Sequence, residues 1–225
     1  MTVLFWDIDG TLLTTGKAGV PAWEAAVRET TGKPFELSSI RVPGLTDYQI
    51  AVRTFELLGV RATDGLLQRM VARYEEMLPE TLPSRQGSVL LHVREILERL
   101  RPRSDVRSYL LTGNTRAGAR AKLTHYNLVQ YFPDGGFAED AGSRASIAVR
   151  ALEVARRHGP VRPDRVFVIG DTPHDIECAA AIGARTIAVA TGGYTVEELS
   201  RHAPWRVFAA LPPPTEFERL LSLHA

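Results

Sequence analysis

Asp7 and Asp9 stand one residue apart at the end of an apolar run, Val3 to Ile8, and Gly10-Thr11 follows them. Two acids so close to a buried strand have little structural reason to be there. Two further runs end in polar groups of related kind: Leu111-Thr112-Gly113-Asn114, and Gly170-Asp171-Thr172-Pro173-His174-Asp175. Ligands of open α/β sheets bind beyond the carboxyl ends of the strands, and neighbouring strands lie about 4.8 Å apart. If these three strands are adjacent, Asp7, Asp9, Thr112, Asp171 and Asp175 reach one small volume. Unopposed carboxylates there would raise one another's pKa values. A divalent cation removes that cost. An all-oxygen donor set favours a hard ion, Mg²⁺ being expected, and Mg²⁺ keeps waters and binds phosphate. No His/Cys cluster suggests zinc. His174, in a first helical turn, is expected at solvent or the substrate entrance and not on a metal.

The elements that must position these groups follow from the pattern. Val106 to Leu111, Arg165 to Ile169, Arg185 to Ala190 and Val207 to Ala209 read as strands. Val89 to Leu100, Arg116 to Tyr126, Ala145 to Arg157 and Pro173 to about Ile182 read as helices, and a short helix follows Pro212-Pro213-Pro214. Strands alternating with helices imply a parallel sheet covered on both faces. Between the first strand and this alternation lies a block with three helical patterns, near Val20 to Thr31, Thr46 to Leu58 and Asp64 to Leu78. The expected architecture is therefore an α/β, Rossmann-like parallel sheet core with helices on both faces, plus an inserted α-helical cap. The core is drawn as 1–14 and 84–225 and the cap as 15–83, with hinges near Thr14 to Gly16 and Leu82 to Arg85.

The 225 residues contain 27 basic and 26 acidic side chains, a net charge of +1, which gives no reason to expect nucleic acid or an anionic membrane as partner. No stretch approaches the roughly 20 apolar residues of a bilayer span. The single cysteine, Cys178, cannot form an internal bridge and fits a reducing compartment. The N-terminus meets Asp7 and Asp9 too early for a secretory leader. The chain is read as cytoplasmic and complete, a monomer or homodimer.

Asp7-Ile8-Asp9-Gly10-Thr11-Leu12 resembles the first signature of the haloacid dehalogenase-like hydrolases, Leu111-Thr112-Gly113-Asn114 the second, and Gly170 to Asp175 the fourth. The helical block matches the α-helical cap of phosphoglycolate phosphatase-like members. The resemblance implies an Mg²⁺-dependent phosphatase acting on a small phosphorylated metabolite through an aspartyl-phosphate. Asp7 would be the nucleophile and Asp9 the general acid and base. Asp7, the backbone carbonyl of Asp9, and Asp171 would hold the metal, with Asp175 acting directly or through a water. Thr112 and the amides of Gly113 and Asn114 would hold the phosphoryl oxygens. True dehalogenases and phosphonate-cleaving members lack an acid at the position of Asp9, so phosphatase is the better reading.

The family's Lys-Pro pair, common between the second and fourth signatures, is missing. Arg144, at the start of a helix, or Lys122, mid-helix, must supply the cation; Arg144 is preferred, because a cation at a helix N-terminus needs an anionic neighbour. Lys17, near the hinge, and Gly44, Thr46 and Asp47, in the turn Pro43 to Asp47, are candidate substrate contacts, and Thr46 also suits a helix N-cap. Within the family, a pyrophosphatase or a phosphosugar mutase is the alternative. Outside enzymes, the alternative is an inactive binding or regulatory protein of the same fold.

Overall fold

The computed structural model describes residues 1–140 and 142–223. In chain order the elements are β1 (Thr2–Trp6), β2 (Leu13–Thr14), α1 (Gly19–Thr31), α2 (Asp47–Leu57), α3 (Asp64–Thr81), β3 (Ser88–Val89), α4 (Val93–Leu100), β4 (Val106–Leu111) and α5 (Arg116–His125). There follow β5 (Gly135–Gly136), α6 (Arg144–Arg157), β6 (Val166–Gly170), α7 (Pro173–Ala181), β7 (Arg185–Val189), α8 (Val196–Ser200), β8 (Arg206–Phe208) and α9 (Pro214–Leu220).

Six strands form a parallel sheet in the order β5-β4-β1-β6-β7-β8. The buried run β1 is central because both its faces are apolar. Leu4 and Trp6 point to one side and pack with α4, α5 and α9, through Ile96, Leu97, Leu123 and Phe217. Val3 and Phe5 point to the other and pack with α6 and α7, through Ile147, Ala148, Ala151 and Cys178. Each such side chain contributes about 1.5–3 kcal/mol on burial. Trp6 lies level with Leu110 of β4 and with Ile169 of β6, so the three polar strand ends emerge side by side.

The helices α1, α2 and α3 interrupt the alternation after β2 and surround an apolar cluster of their own, with Trp23, Phe55, Met70 and Leu78 at its centre. The Trp23 and Tyr74 rings meet edge to face, 4.9 Å between centroids. Helix α1 ends on Gly32, whose left-handed φ of 70° lets its amide donate to the Arg28 carbonyl.

Several expectations on element bounds are corrected. The stripe beginning at Val89 is helical only from Val93; Ser88 and Val89 instead pair antiparallel with Thr14 and Leu13. This short ribbon lies where the chain leaves the sheet and returns to it. Apolar spacing alone does not separate one half-buried strand residue from the next helix. Helix α3 runs past Pro79 to Thr81, because a proline near the last turn removes a single donor while Leu78 and Leu82 stay buried. The strand β5 consists of two glycines and carries no hydrophobic signal. A Cβ at Gly135 would stand 2.5 Å from the Leu110 carbonyl oxygen, so close backbone approach explains the residue type.

Candidate active site

At the carboxyl ends of β1 and β6, Asp7, Asp171 and Asp175 place carboxylate oxygens within 4.8 Å of one another, all buried. The chain turns sharply after β1 at Gly10, φ 81°; a Cβ there would lie 2.5 Å from Asp171 Oδ2, and one at Gly192 would lie closer still. Two glycines thus keep clear the space around the Asp171 carboxylate. Thr11 donates its hydroxyl to Asp171 Oδ1 at 3.2 Å. Asp175 is the third residue of the α7 capping box: its Oδ2 accepts from the Thr172 amide, 3.0 Å, and hydroxyl, 2.7 Å.

Arg144, the first residue of α6, supplies the cation of this group. Its Nη2 donates to Asp175 Oδ1 at 2.7 Å and lies 3.5 Å from Asp7 Oδ1. One guanidinium does not balance three buried acids. Burial, and then Asp175, pushes Asp7 well above the carboxylate range despite Arg144. Burial, then Asp175 and Asp7, pushes Asp171 up as well. A buried all-oxygen set with excess negative charge, and glycines leaving room beside it, fits a hard divalent cation.

Asp9 belongs to a second, adjoining group. Its carboxylate turns from the three acids towards Lys122 Nζ at 2.6 Å and Asn114 Nδ2 at 2.8 Å. Lys122 also donates to Asn114 Oδ1 at 2.6 Å. Asn114 Nδ2 reaches Thr112 Oγ1 at 2.8 Å, and that oxygen accepts the Asn114 amide at 3.3 Å. Lys122, the cation not preferred from the sequence, has a side chain 7% exposed and bound within this network. Both candidate cations are therefore in the site, one on each acid of the first strand end. Asp7 is 5% exposed, whereas 43% of the Asp9 side chain is exposed, so open space adjoins the buried acids on the Asp9 side.

The turn before α2 lies against these loops. The Thr46 hydroxyl accepts from the Gln49 amide, and the Gln49 side chain accepts the Thr46 amide, closing a capping box. The Asp47 amide donates to the Gly113 carbonyl at 2.9 Å, and Asp47 Oδ2 accepts from the Thr115 amide at 2.8 Å. The polar groups of Thr46 and Asp47 are thus engaged with protein. Lys17 is exposed, with a left-handed φ of 66°, and no ion pair joins it to the acids among the described residues. His174 is partly exposed, 3.1 Å from Glu177, with its ring against Gly44 and outside the three-acid group.

Sequence reasoning overlooked Thr11, which steadies Asp171, and Thr191, whose hydroxyl donates to the Gly10 carbonyl at 2.5 Å. Thr191 and Gly192 follow the end of β7, so the strand-end rule that found the acids would have found them too.

The profile of the haloacid dehalogenase-like hydrolase family matches residues 4–180. The chain belongs to this family. The matched span of this haloacid dehalogenase-like hydrolase holds Asp7, Asp9, Thr112, Lys122, Arg144, Asp171 and Asp175, and ends before Thr191. A hydrolase from Pseudomonas syringae superimposes with a TM-score of 0.71 at 22% identity, covering 100% of both chains. A predicted phosphoglycolate phosphatase from Haemophilus somnus gives 0.72 at 14% identity, covering 100% of this chain and 98% of the other. These two share the fold. The tyrosine-protein kinase PtkA of Mycobacterium tuberculosis is 34% identical over 87 residues, 39% of this chain and 30% of that protein. This chain thus matches less than a third of that relative's length.

Proposed function

We propose that this hydrolase is an Mg²⁺-dependent phosphatase, acting in the cytoplasm on a small phosphomonoester, with an aspartyl-phosphate on Asp7. The observation that carries the reading is the division of labour at the first strand end. Asp7 lies buried in the three-acid group beside Arg144, while Asp9, two residues on, is held separately by Lys122 and Asn114. Residues 1–14 and 84–225 act as the catalytic core, and residues 15–83 act as a cap over it.

In this reading an Asp7 oxygen attacks phosphorus and the bond to the ester oxygen breaks. Asp9 gives its proton to that departing oxygen. Asp9 then takes a proton from water, the water oxygen attacks phosphorus, and the bond to Asp7 breaks, leaving phosphate and a free carboxylate. Asp7, Asp171 and the Asp9 carbonyl, with Asp175 behind them, would hold Mg²⁺, which would supply positive charge to the phosphoryl oxygens. Lys122 and Asn114 fix the direction of the Asp9 carboxyl. Thr112 and the amides of the loop after β4 hold the phosphoryl group, whose transfer depends on positioning and charge more than on covalent chemistry.

The test is hydrolysis of p-nitrophenyl phosphate with Mg²⁺, with chelator, and with Asp7→Asn. Activity that requires both the metal and Asp7 is expected. Turnover in chelator, or full turnover in the variant, overturns the proposal. A panel of phosphate esters, pyrophosphate and hexose phosphates then identifies the substrate class.

A further inference from the structure

The seam between the helical insertion and the sheet loops is joined most directly at Asp47. This first residue of α2 meets the loop after β4 twice: its amide donates to the Gly113 carbonyl, and its buried carboxylate accepts from the Thr115 amide. Thr115 is the N-cap of α5, its hydroxyl accepting from the Gly118 amide. Asp47 therefore places a carboxylate at the positive end of the helix that carries Lys122. From that start, Lys122 lies two turns along and reaches back to Asp9 and Asn114.

The surrounding contacts leave Asp47 little freedom. A Cβ on Gly113 would stand 2.7 Å from the Leu45 carbonyl oxygen and 3.2 Å from Thr46 Cα, so only glycine lets the two backbones approach this closely. Gln49 donates to the Gly142 carbonyl at 3.3 Å, Arg144 lies 3.4 Å from the Gly44 carbonyl, and Arg41 stacks over the Tyr194 ring at 5.3 Å. The first two link the insertion to the start of α6, and the third links it to the loop after β7.

We infer that Asp47 is a positioning residue. Its two hydrogen bonds make docking of the insertion a condition for ordering both the loop Thr112 to Thr115 and the start of α5, and through them Lys122 and Asp9. It acts without touching substrate. This inference rests on the phosphatase reading for its kinetic consequence, but its structural consequence is independent of any activity.

Hydrogen exchange and kinetics on the full chain separate the possibilities. Asp47→Ala loses the carboxylate acceptor, whereas Asp47→Asn keeps an oxygen for the Thr115 amide. Asp47→Leu keeps side-chain bulk at the position while removing both carboxylate oxygens. Exchange over residues 112–118 is expected to quicken about tenfold or more in Asp47→Ala, the change implied by losing a hydrogen bond to a carboxylate. Exchange in β1 and β6 should be unaltered. The kcat with p-nitrophenyl phosphate should fall about 100-fold, the size expected of a displaced catalytic loop. Asp47→Asn should stay near wild type in both measurements. Should Asp47→Ala unfold, Asp47→Leu must show the local exchange change. Unchanged exchange over 112–118 overturns the inference, as does an Asp47→Asn variant as impaired as Asp47→Ala, which would show that the retained hydrogen bond does not carry the role. Faster exchange in a protein that hydrolyses no ester even as wild type sinks the phosphatase reading and leaves the docking role standing.

Discussion

Two buried cations divide the work at the end of the first strand. Arg144 faces Asp175 and Asp7, and Lys122 faces Asp9 and Asn114. Replacing Lys122 by Met keeps its volume and removes the charge that orients Asp9. Loss of positioned acid–base catalysis is worth about 100-fold or more, so kcat of Lys122→Met should fall by about that factor, and the melting temperature should fall as well, because the buried Asn114 Oδ1 loses its donor. Steady-state kinetics and a melting curve check both. The three-acid group gives a pH dependence whose sign is fixed. Asp7 and Asp171 are raised in the folded protein, so the folded chain holds protons that the unfolded chain releases above about pH 4. Without metal, stability must therefore fall as pH rises from about 5 to about 8. A cation bound to the ionised carboxylates reverses the effect, so Mg²⁺ should raise Tm more at about pH 8 than at about pH 5. Melting temperatures with chelator and with Mg²⁺ at the two pH values test this.

The acids are placed by strand ends and by the turns that follow them, and the turn after β1 is the most constrained. Gly10 combines a φ of 81° with the close approach of the Asp171 carboxylate. Gly10→Ala should destabilise the protein by about 1–3 kcal/mol and shrink the stabilisation by Mg²⁺, measured as the shift in denaturation midpoint with and without the ion. At this level much was legible in the sequence. The runs Val3 to Ile8 and Arg165 to Ile169 are apolar on both faces, as strands buried between two helical layers must be, and Thr46 and Pro173 announce the helices they start. What the sequence concealed is tertiary. Gly135 and Gly136 form a strand through backbone approach alone, and Ser88 and Val89 follow a helical spacing while pairing with Leu13 and Thr14. The site shows the same limit. The acids are visible from their strand ends, but that Lys122 turns inward depends on how α5 meets the helical insertion, which no local pattern contains.

Across the whole molecule, the insertion and the sheet loops meet where Leu45 to Asp47 pack on Gly113 to Thr115, and Asp7 is 5% exposed. If the seam has to open for a phosphate ester to reach Asp7, locking it should stop turnover. A Cβ on Gly193 would lie 3.9 Å from that of Pro43, within the range a disulfide spans. Oxidised Pro43→Cys/Gly193→Cys should lose most activity and regain it on reduction; equal turnover in both states would show that the seam need not move. The residue on which the phosphoryl group rests during turnover can be located directly. Acid quench with borohydride reduction converts an aspartyl-phosphate to homoserine, and peptide mass spectrometry then locates it. Homoserine is expected at position 7, only with substrate and Mg²⁺ present and never in Asp7→Asn. Ester hydrolysis that leaves Asp7 unmodified, or a phosphoryl group on another residue, would contradict an aspartyl-phosphate on Asp7.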